Sequence, residues 1–241
     1  MKISKAVTLT LLIASWSNLQ AQNVQLHYEA RHLFDPELYG KNYPSLSFEY
    51  FKEFDSLGSF LLKIQSDFNG ENYNNGQTFV QLSQNLKFWK TDVFLALSYT
   101  GGLGIAPPSF GFHITNAISL GVAHPFEWNG AFLSLNVQYR FTAFEKPSHD
   151  PQLTFYFWKG LFNYKVSIAG SLVSWTENRD QGIEFTSDLE DKKVVLFGDP
   201  QIWLTIKKGI SVGSRVNMFY NLIGEESAFK VYPTIGGKYE F

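Results

Sequence analysis

The sequence contains no cysteine, and only 17% of its 241 residues are charged. The absence of cysteine excludes disulfides and thiolate metal sites. Twenty Lys and Arg face 22 Asp and Glu, for a formal net charge of -2, which gives no reason to expect binding to a nucleic-acid polymer. Beyond the amino terminus there is no apolar run long enough for a transmembrane helix and no sustained helical period. No nucleotide-binding, zinc-protease or calcium-loop motif is present, so we expect no cofactor and no metal.

The amino-terminal segment has the pattern of a secretory signal peptide. Lys2 and Lys5 precede an apolar run over residues 6–16, and Ala21 offers a small residue for cleavage. The run is too short to span a bilayer core of about 30 Å. We therefore expect residues 1–21 to be a signal peptide and residues 22–241 to form the folded domain.

Aromatic residues are abundant where charge is scarce. They make up 17% of the chain, as 23 Phe, 12 Tyr and 6 Trp. Such a composition is typical of an outer-membrane β-barrel, whose outer surface has an apolar band flanked by aromatic girdles.

Apolar and polar residues alternate with a period of two in successive segments. Such alternation predicts strands with one apolar and one polar face. There are twelve of these segments, an even number, as bacterial single-chain barrels require. We therefore predict an all-β fold, a twelve-stranded antiparallel transmembrane barrel of the outer-membrane type, with strands at 24–34, 43–54, 59–68, 78–88, 93–100, 117–124, 131–141, 152–158, 163–175, 194–206, 210–220 and 229–241.

The connections alternate in length. Those after even-numbered strands are tight, and those after odd-numbered strands are generally longer, including 101–116, 142–151 and 176–193. Outer-membrane barrels have short periplasmic turns and longer outer loops. We therefore expect an outer-membrane protein of a Gram-negative bacterium, with both termini in the periplasm.

The last strand places two aromatic residues at the carboxy terminus. Tyr239 and Phe241 lie on the same face of segment 229–241. This ending resembles the closing strand that the barrel insertion machinery recognises, and we interpret both residues as an assembly signal. The alternative is an ordinary edge strand of a soluble β-sandwich.

Several stretches resemble the DUF5020 family of outer-membrane proteins, related to the Tsx-like nucleoside-specific channel superfamily. They are Val24 to Tyr28, Leu86 to Trp89, Tyr99 to Gly102, Asp199 to Trp203 and Pro233 to Lys238. The resemblance implies a monomeric twelve-stranded barrel with a narrow lumen. Nucleoside transport is known only for the distant relatives, and none of their binding residues can be matched here.

Projecting the alternation inward gives candidate solute contacts in the lumen. Inward aromatics offer stacking surfaces for ring-shaped solutes, or instead fill the lumen as a small core. Inward charges line a solute path, pair across the lumen to hold its shape, or do both. The candidates are Trp203, Gln201, Glu49, Arg140, Phe51, Phe94, Tyr156 and Tyr232, with Trp203 as the aromatic expected to be reachable from water.

These features predict a passive channel for small polar solutes, with nucleosides as one candidate class. The alternative is a closed structural or interaction barrel without transport. Catalysis is not expected, because His124 is the one candidate at a strand end of the apolar face and no serine is convincingly placed beside it. The expected partners are outer-membrane lipids and lipopolysaccharide. The charged loop 176–193 could bind divalent ions together with lipopolysaccharide; the alternative is that it is only a solvated loop.

Overall fold

A computed structural model describes residues 22–54, 57–106, 110–143, 145–223 and 227–241. The predicted signal peptide over residues 1–21 lies outside the described residues, so its cleavage stays a prediction.

The described chain forms one antiparallel sheet. Its segments are β1 Gln22–Glu29, β2 Tyr43–Glu53, β3 Gly58–Asp67, β4 Gln77–Leu86, β5 Phe94–Ala106, β6 Phe110–Trp128, β7 Ala131–Thr142, β8 Ser148–Leu161, β9 Val166–Asn178, β10 Lys192–Gly198, β11 Gln201–Lys207, β12 Ile210–Tyr220 and β13 Phe229–Glu240.

The sheet closes into a barrel because β1 pairs with both β2 and β13. The segments β10 and β11 share one position in the wall, since both lie between β9 and β12. Thirteen segments therefore make a twelve-stranded barrel, and the predicted fold class is confirmed. Closure leaves no open sheet edge.

The interruption between β10 and β11 falls at Asp199 and Pro200. The Asp199 backbone N–H still donates to the Ser171 carbonyl at 3.0 Å, and the Val216 N–H donates to the Pro200 carbonyl at 2.8 Å. Opposite the break, Gly170 has φ +148°, and a Cβ there would lie 2.7 Å from the Pro200 Cα. Proline removes one ladder donor, and glycine gives the neighbouring strand room to approach.

The barrel has two dissimilar ends. The terminal end carries both chain ends of the described domain and short turns, such as the two-residue turn at Asn129 and Gly130. The loop end carries the longer connections 30–42, 68–76 and 179–191. These three connections agree with the predicted sorting, but the predicted loop 142–151 is too long, because β7 ends at Thr142 and β8 already begins at Ser148.

The predicted outer loop 101–116 is wrong. Strand β5 continues to Ala106 and β6 begins at Phe110, with a bulge between Gly102 and Leu103. No strand was predicted there because glycines interrupt the side-chain alternation. Hydrogen bonds between the backbones of β5 and β6 do not depend on side chains, so the two strands stay paired beyond the predicted strand ends.

The first predicted strand, 24–34, is also too long. Strand β1 ends at Glu29, and a short helix α1 follows at Arg31–Phe34. No helix in the described ranges has the length and apolar character needed to cross a membrane.

Side chains alternate across the wall as the pattern predicted. Leu26 is 57% exposed on the outer face, whereas its neighbours Gln25 and His27 are buried in the lumen. The outer face is apolar and the lumen is polar, the reverse of a soluble barrel.

Candidate functional site

A charged network bridges the lumen. The Lys63 ammonium on β3 lies 2.8 Å from an Asp199 carboxylate oxygen at the break and 3.6 Å from Glu49 on β2. The Gln201 amide on β11 donates to Glu49 at 3.2 Å. Ser171 donates to Asp199 through both its backbone N–H and its hydroxyl, at 2.8 and 2.7 Å. One cation thus links two carboxylates across the barrel; we call Lys63, Asp199 and Glu49 the lumen bridge.

Trp203 lies beside this bridge, and its expected exposure to water is wrong. Its side chain is 1% exposed. Its indole N–H donates to the Gln201 carbonyl at 2.9 Å, the His27 ring meets it edge-on at 5.5 Å, and the Lys238 ammonium lies 5.3 Å from its ring centre. These neighbours cover the ring, so in this structure Trp203 fills the lumen and offers no free stacking face.

Four aromatic rings surround the Arg31 guanidinium near the loop end. Its central carbon lies 5.4 Å from the Tyr39 ring centre, 5.7 Å from Tyr43, 5.4 Å from Phe219 and 5.5 Å from Tyr232. Tyr232, a predicted solute contact, is therefore buried within this cage. Cation–π contacts of this kind stabilise a charge that has left water.

Glu29 compensates the caged arginine. It accepts hydrogen bonds from Arg31 at 3.2 Å, Arg215 at 2.8 Å, Ser45 at 3.0 Å and Asn217 at 3.0 Å. The carboxylate is thus fully paired and holds β1, β2 and β12 together, which is a structural role.

The first loop is fixed over the end of β13. Asp35 accepts hydrogen bonds from the Lys230 ammonium at 2.5 Å and the Tyr232 hydroxyl at 3.0 Å. The hydrogen bond from Lys230 is the main reason that the pKa of Asp35 lies below its usual value.

A cavity of about 520 Å³ occupies the loop-end half of the lumen. Its rim includes loop residues such as Tyr39 and Asp180. Most of its lining residues are polar, but aromatic and aliphatic side chains supply the larger part of the exposed wall. Tyr156 and Arg140 are the predicted solute contacts that line it. Cavities of this size, with a few convergent polar groups, are typical of small-molecule sites.

Arg140 is buried in the wall of the cavity. Its side-chain nitrogens donate to Thr142 at 3.1 Å, Gln152 at 2.9 Å, Thr115 at 3.2 Å and Thr100 at 3.4 Å. Its guanidinium also lies 4.7 Å from the Trp175 ring centre. All these partners are neutral.

Two other predicted contacts lie away from the cavity. Phe51 is 43% exposed near the terminal end of β2. Phe94 begins β5, and the Lys87 ammonium lies 5.3 Å from its ring centre. The predicted solute contacts are therefore divided among the lumen bridge, the aromatic cage of Arg31, the cavity and the terminal end of the barrel.

The proposed assembly residues Tyr239 and Phe241 lie on the outer face, with ring centres 5.8 Å apart.

Trp175 is a cavity residue that the sequence reasoning missed. The predicted strand 163–175 stopped at this residue, whereas β9 continues to Asn178. The alternation already placed residues 169 and 171 on the inner face, so the same period extends to 175. Following the alternation four residues further, from 171 to 175, would have found it.

Loop 179–191 is held to the preceding loop by an ion pair. The Lys146 ammonium lies 2.6 Å from Asp180, and its hydrogen bond keeps the pKa of Asp180 below the usual value. Within the described part of the chain, no group of three His, Asp or Glu side chains could hold a metal ion. The sharing of divalent ions with lipopolysaccharide stays a prediction.

Comparisons with known proteins agree with this architecture. The family model described as a domain of unknown function (DUF5020) matches residues 21–241. The structure of the NanC porin shares 9% sequence identity, covers 92% of this chain and 100% of its own, and superposes with a TM-score of 0.56. The KdgM porin shares 10% identity, covers 92% of this chain and 99% of its own, with a TM-score of 0.50. No curated protein matches the sequence.

Proposed function

The chain belongs to the DUF5020 family and has the fold of outer-membrane porins, and from this we propose that it is a passive channel for small polar solutes. The single observation that carries the proposal is the cavity of about 520 Å³ inside the barrel, most of whose lining residues are polar. A barrel whose lumen served only as a structural core would be expected to fill that space with side chains.

The proposal places the barrel in the outer membrane with its terminal end in the periplasm. The short turns at the terminal end support this orientation, and Trp89, Trp128 and Phe162 are exposed beside those turns, at one of the two interfaces where an aromatic girdle is expected. We also propose that the protein acts as a monomer, since the closed sheet leaves no strand edge for a second copy. Lipids, lipopolysaccharide and the insertion machinery remain its proposed partners.

The lumen bridge favours the alternative, a barrel that is closed at rest. Lys63 and Asp199 meet across the lumen below the cavity, and Trp203 fills the space beside them. In the channel proposal these residues form the constriction and must separate or leave a narrow path. In the alternative they seal the barrel.

We propose no catalytic activity. His124, the one candidate, has a ring nitrogen 2.9 Å from the Asp92 backbone carbonyl, and its ring stacks on Phe126 at 5.7 Å. These contacts hold the ring against the barrel surface and leave it in no nucleophile–base pair.

Planar-bilayer conductance of the purified full-length mature protein tests the channel. Because the chain has no cysteine, Ser98→Cys gives a single thiol on the cavity wall, and Leu97→Cys gives a matched thiol on the outer face. A charged thiol reagent should reduce the current of Ser98→Cys and leave that of Leu97→Cys unchanged.

The outcomes separate the two functions. A wild type without current supports the closed barrel and overturns the channel. A current that modification of Ser98→Cys does not change would show that ions do not pass through the cavity. Nucleosides added to one side then test the solute class implied by the family resemblance; block of the current would support it, and no block would remove nucleosides from the proposal.

A further inference from the structure

Arg140 carries a buried charge that no carboxylate in the described residues neutralises directly. Its side chain is 3% exposed, and its hydrogen-bond partners are three threonine hydroxyls and one glutamine amide oxygen. A buried arginine is normally paired, because an isolated ion in a poorly solvated site is costly. The charge of Arg140 is therefore stabilised either by an anion that the protein does not supply or by water in the cavity.

The surrounding charges leave one positive charge in surplus. Asp150 pairs with the Lys192 ammonium at 2.6 Å, and Glu177 pairs with Lys193 at 3.3 Å. Both nearby carboxylates are thus already matched, and Arg140 is the third cation of the cluster. A single surplus charge matches a monoanion better than a doubly charged phosphate ester.

The threonines around Arg140 still have hydrogens to donate. Thr100, Thr115 and Thr142 each accept a hydrogen bond from the guanidinium through the hydroxyl oxygen. In the described residues, none of these three hydroxyls donates to an acceptor. The site therefore combines one positive charge with three hydroxyl donors, and an oxyanion can satisfy both.

We infer that Arg140 and these three threonines form a binding site for the carboxylate of a small organic anion in the cavity. Trp175, whose ring lies 4.7 Å from the guanidinium, packs against one face of the arginine and holds it in place. Four of the five guanidinium N–H groups already donate to the wall, so the remaining N–H and the three hydroxyls are the donors for a carboxylate, whose charge the arginine balances. Small organic carboxylates would then be a solute class of the proposed channel. Their passage through the barrel rests on the proposed channel function, whereas their binding in the cavity does not.

Calorimetric titration of the detergent-solubilised protein with glucuronate tests the site, with glucose as the uncharged control. Arg140→Gln should weaken glucuronate binding by about tenfold or more, the effect of losing one charged hydrogen-bonding partner. Arg140→Lys, which keeps the charge and loses the planar fork, should fall between this variant and the wild type. Lys208→Gln removes a positive charge in a terminal-end turn, far from the cavity, and should bind as the wild type does.

Several results would overturn the inference. They are equal affinity for glucuronate and glucose, unchanged glucuronate binding in Arg140→Gln, and tighter binding of glucose 6-phosphate than of glucuronate. If Arg140→Gln does not fold, the comparison of glucuronate, glucose and glucose 6-phosphate on the wild type decides alone. Glucuronate binding without bilayer current would support the binding site and contradict the channel. Bilayer current without glucuronate binding would support the channel and contradict the binding site.

Discussion

Replacing Lys63 with methionine should destabilise the barrel more than any change to a single carboxylate of the lumen bridge. Lys63 is the one cation shared by Asp199 at 2.8 Å and Glu49 at 3.6 Å, and all three side chains are largely shielded from water. Removing it leaves two carboxylates facing each other. Breaking a buried ion pair in this way costs about 3–5 kcal/mol in the free energy of unfolding.

Asp199→Asn should cost less, about 1–3 kcal/mol, because Lys63 keeps Glu49 and the asparagine oxygen can still accept from Ser171. The double variant Lys63→Met, Asp199→Asn should be more stable than Lys63→Met alone, since one unpaired carboxylate is then gone. This ordering follows from the shared cation and not from the size of either side chain.

Urea unfolding in phospholipid vesicles, followed by far-ultraviolet circular dichroism, measures the three free energies. Lys165→Met is the matched control, because Lys165 lies exposed in a turn and its loss should change stability by less than about 0.5 kcal/mol. The reasoning is refuted if Lys63→Met is as stable as the control, or if Asp199→Asn costs more than Lys63→Met.

Three further changes test other parts of the structure. Leu135→Arg puts a charge on the outer face and should cost about 2–4 kcal/mol in vesicle unfolding if that face meets lipid. Gly170→Ala should destabilise the barrel by about 1–3 kcal/mol, because φ is +148° and the new Cβ would meet Pro200. Acidification should separate Asp180 from Lys146, because the contact lowers the pKa of the Asp180 carboxyl. The contact is fully stabilising above the usual pKa range of aspartate and is lost as the pH falls through the lowered pKa. Distances between spin labels on the two loops would measure this separation.

Each of these has a matched control. Leu135→Phe should be tolerated on an apolar face, and Gly130→Asn should be tolerated in a turn where a Cβ meets nothing within 4 Å. Lys146→Ala should remove the pH dependence of the loop distance. An arginine at 135 without cost would contradict the lipid-facing assignment, and an unchanged unfolding curve for Gly170→Ala would contradict the close approach at the break.

The sequence by itself determined the strands and the faces of the wall. A side-chain period of two is a local property, so the outward position of Leu26 and the inward positions of Gln25 and His27 follow from neighbours in the chain. Where glycine removes the side-chain signal, as in the extended hairpin of β5 and β6, local reasoning stopped too early and backbone pairing alone decided the strand ends.

Only the tertiary structure decided which inward side chains meet. Lys63 and Asp199 are 136 positions apart, and nothing in either local pattern indicates that barrel closure brings them to 2.8 Å. The same closure buries Trp203 among its neighbours, whereas Arg140 faces a cavity without a carboxylate partner in the described residues. Alternation fixes a direction relative to the wall, but burial and pairing depend on the width of the lumen and on the stagger of strands that are distant in sequence.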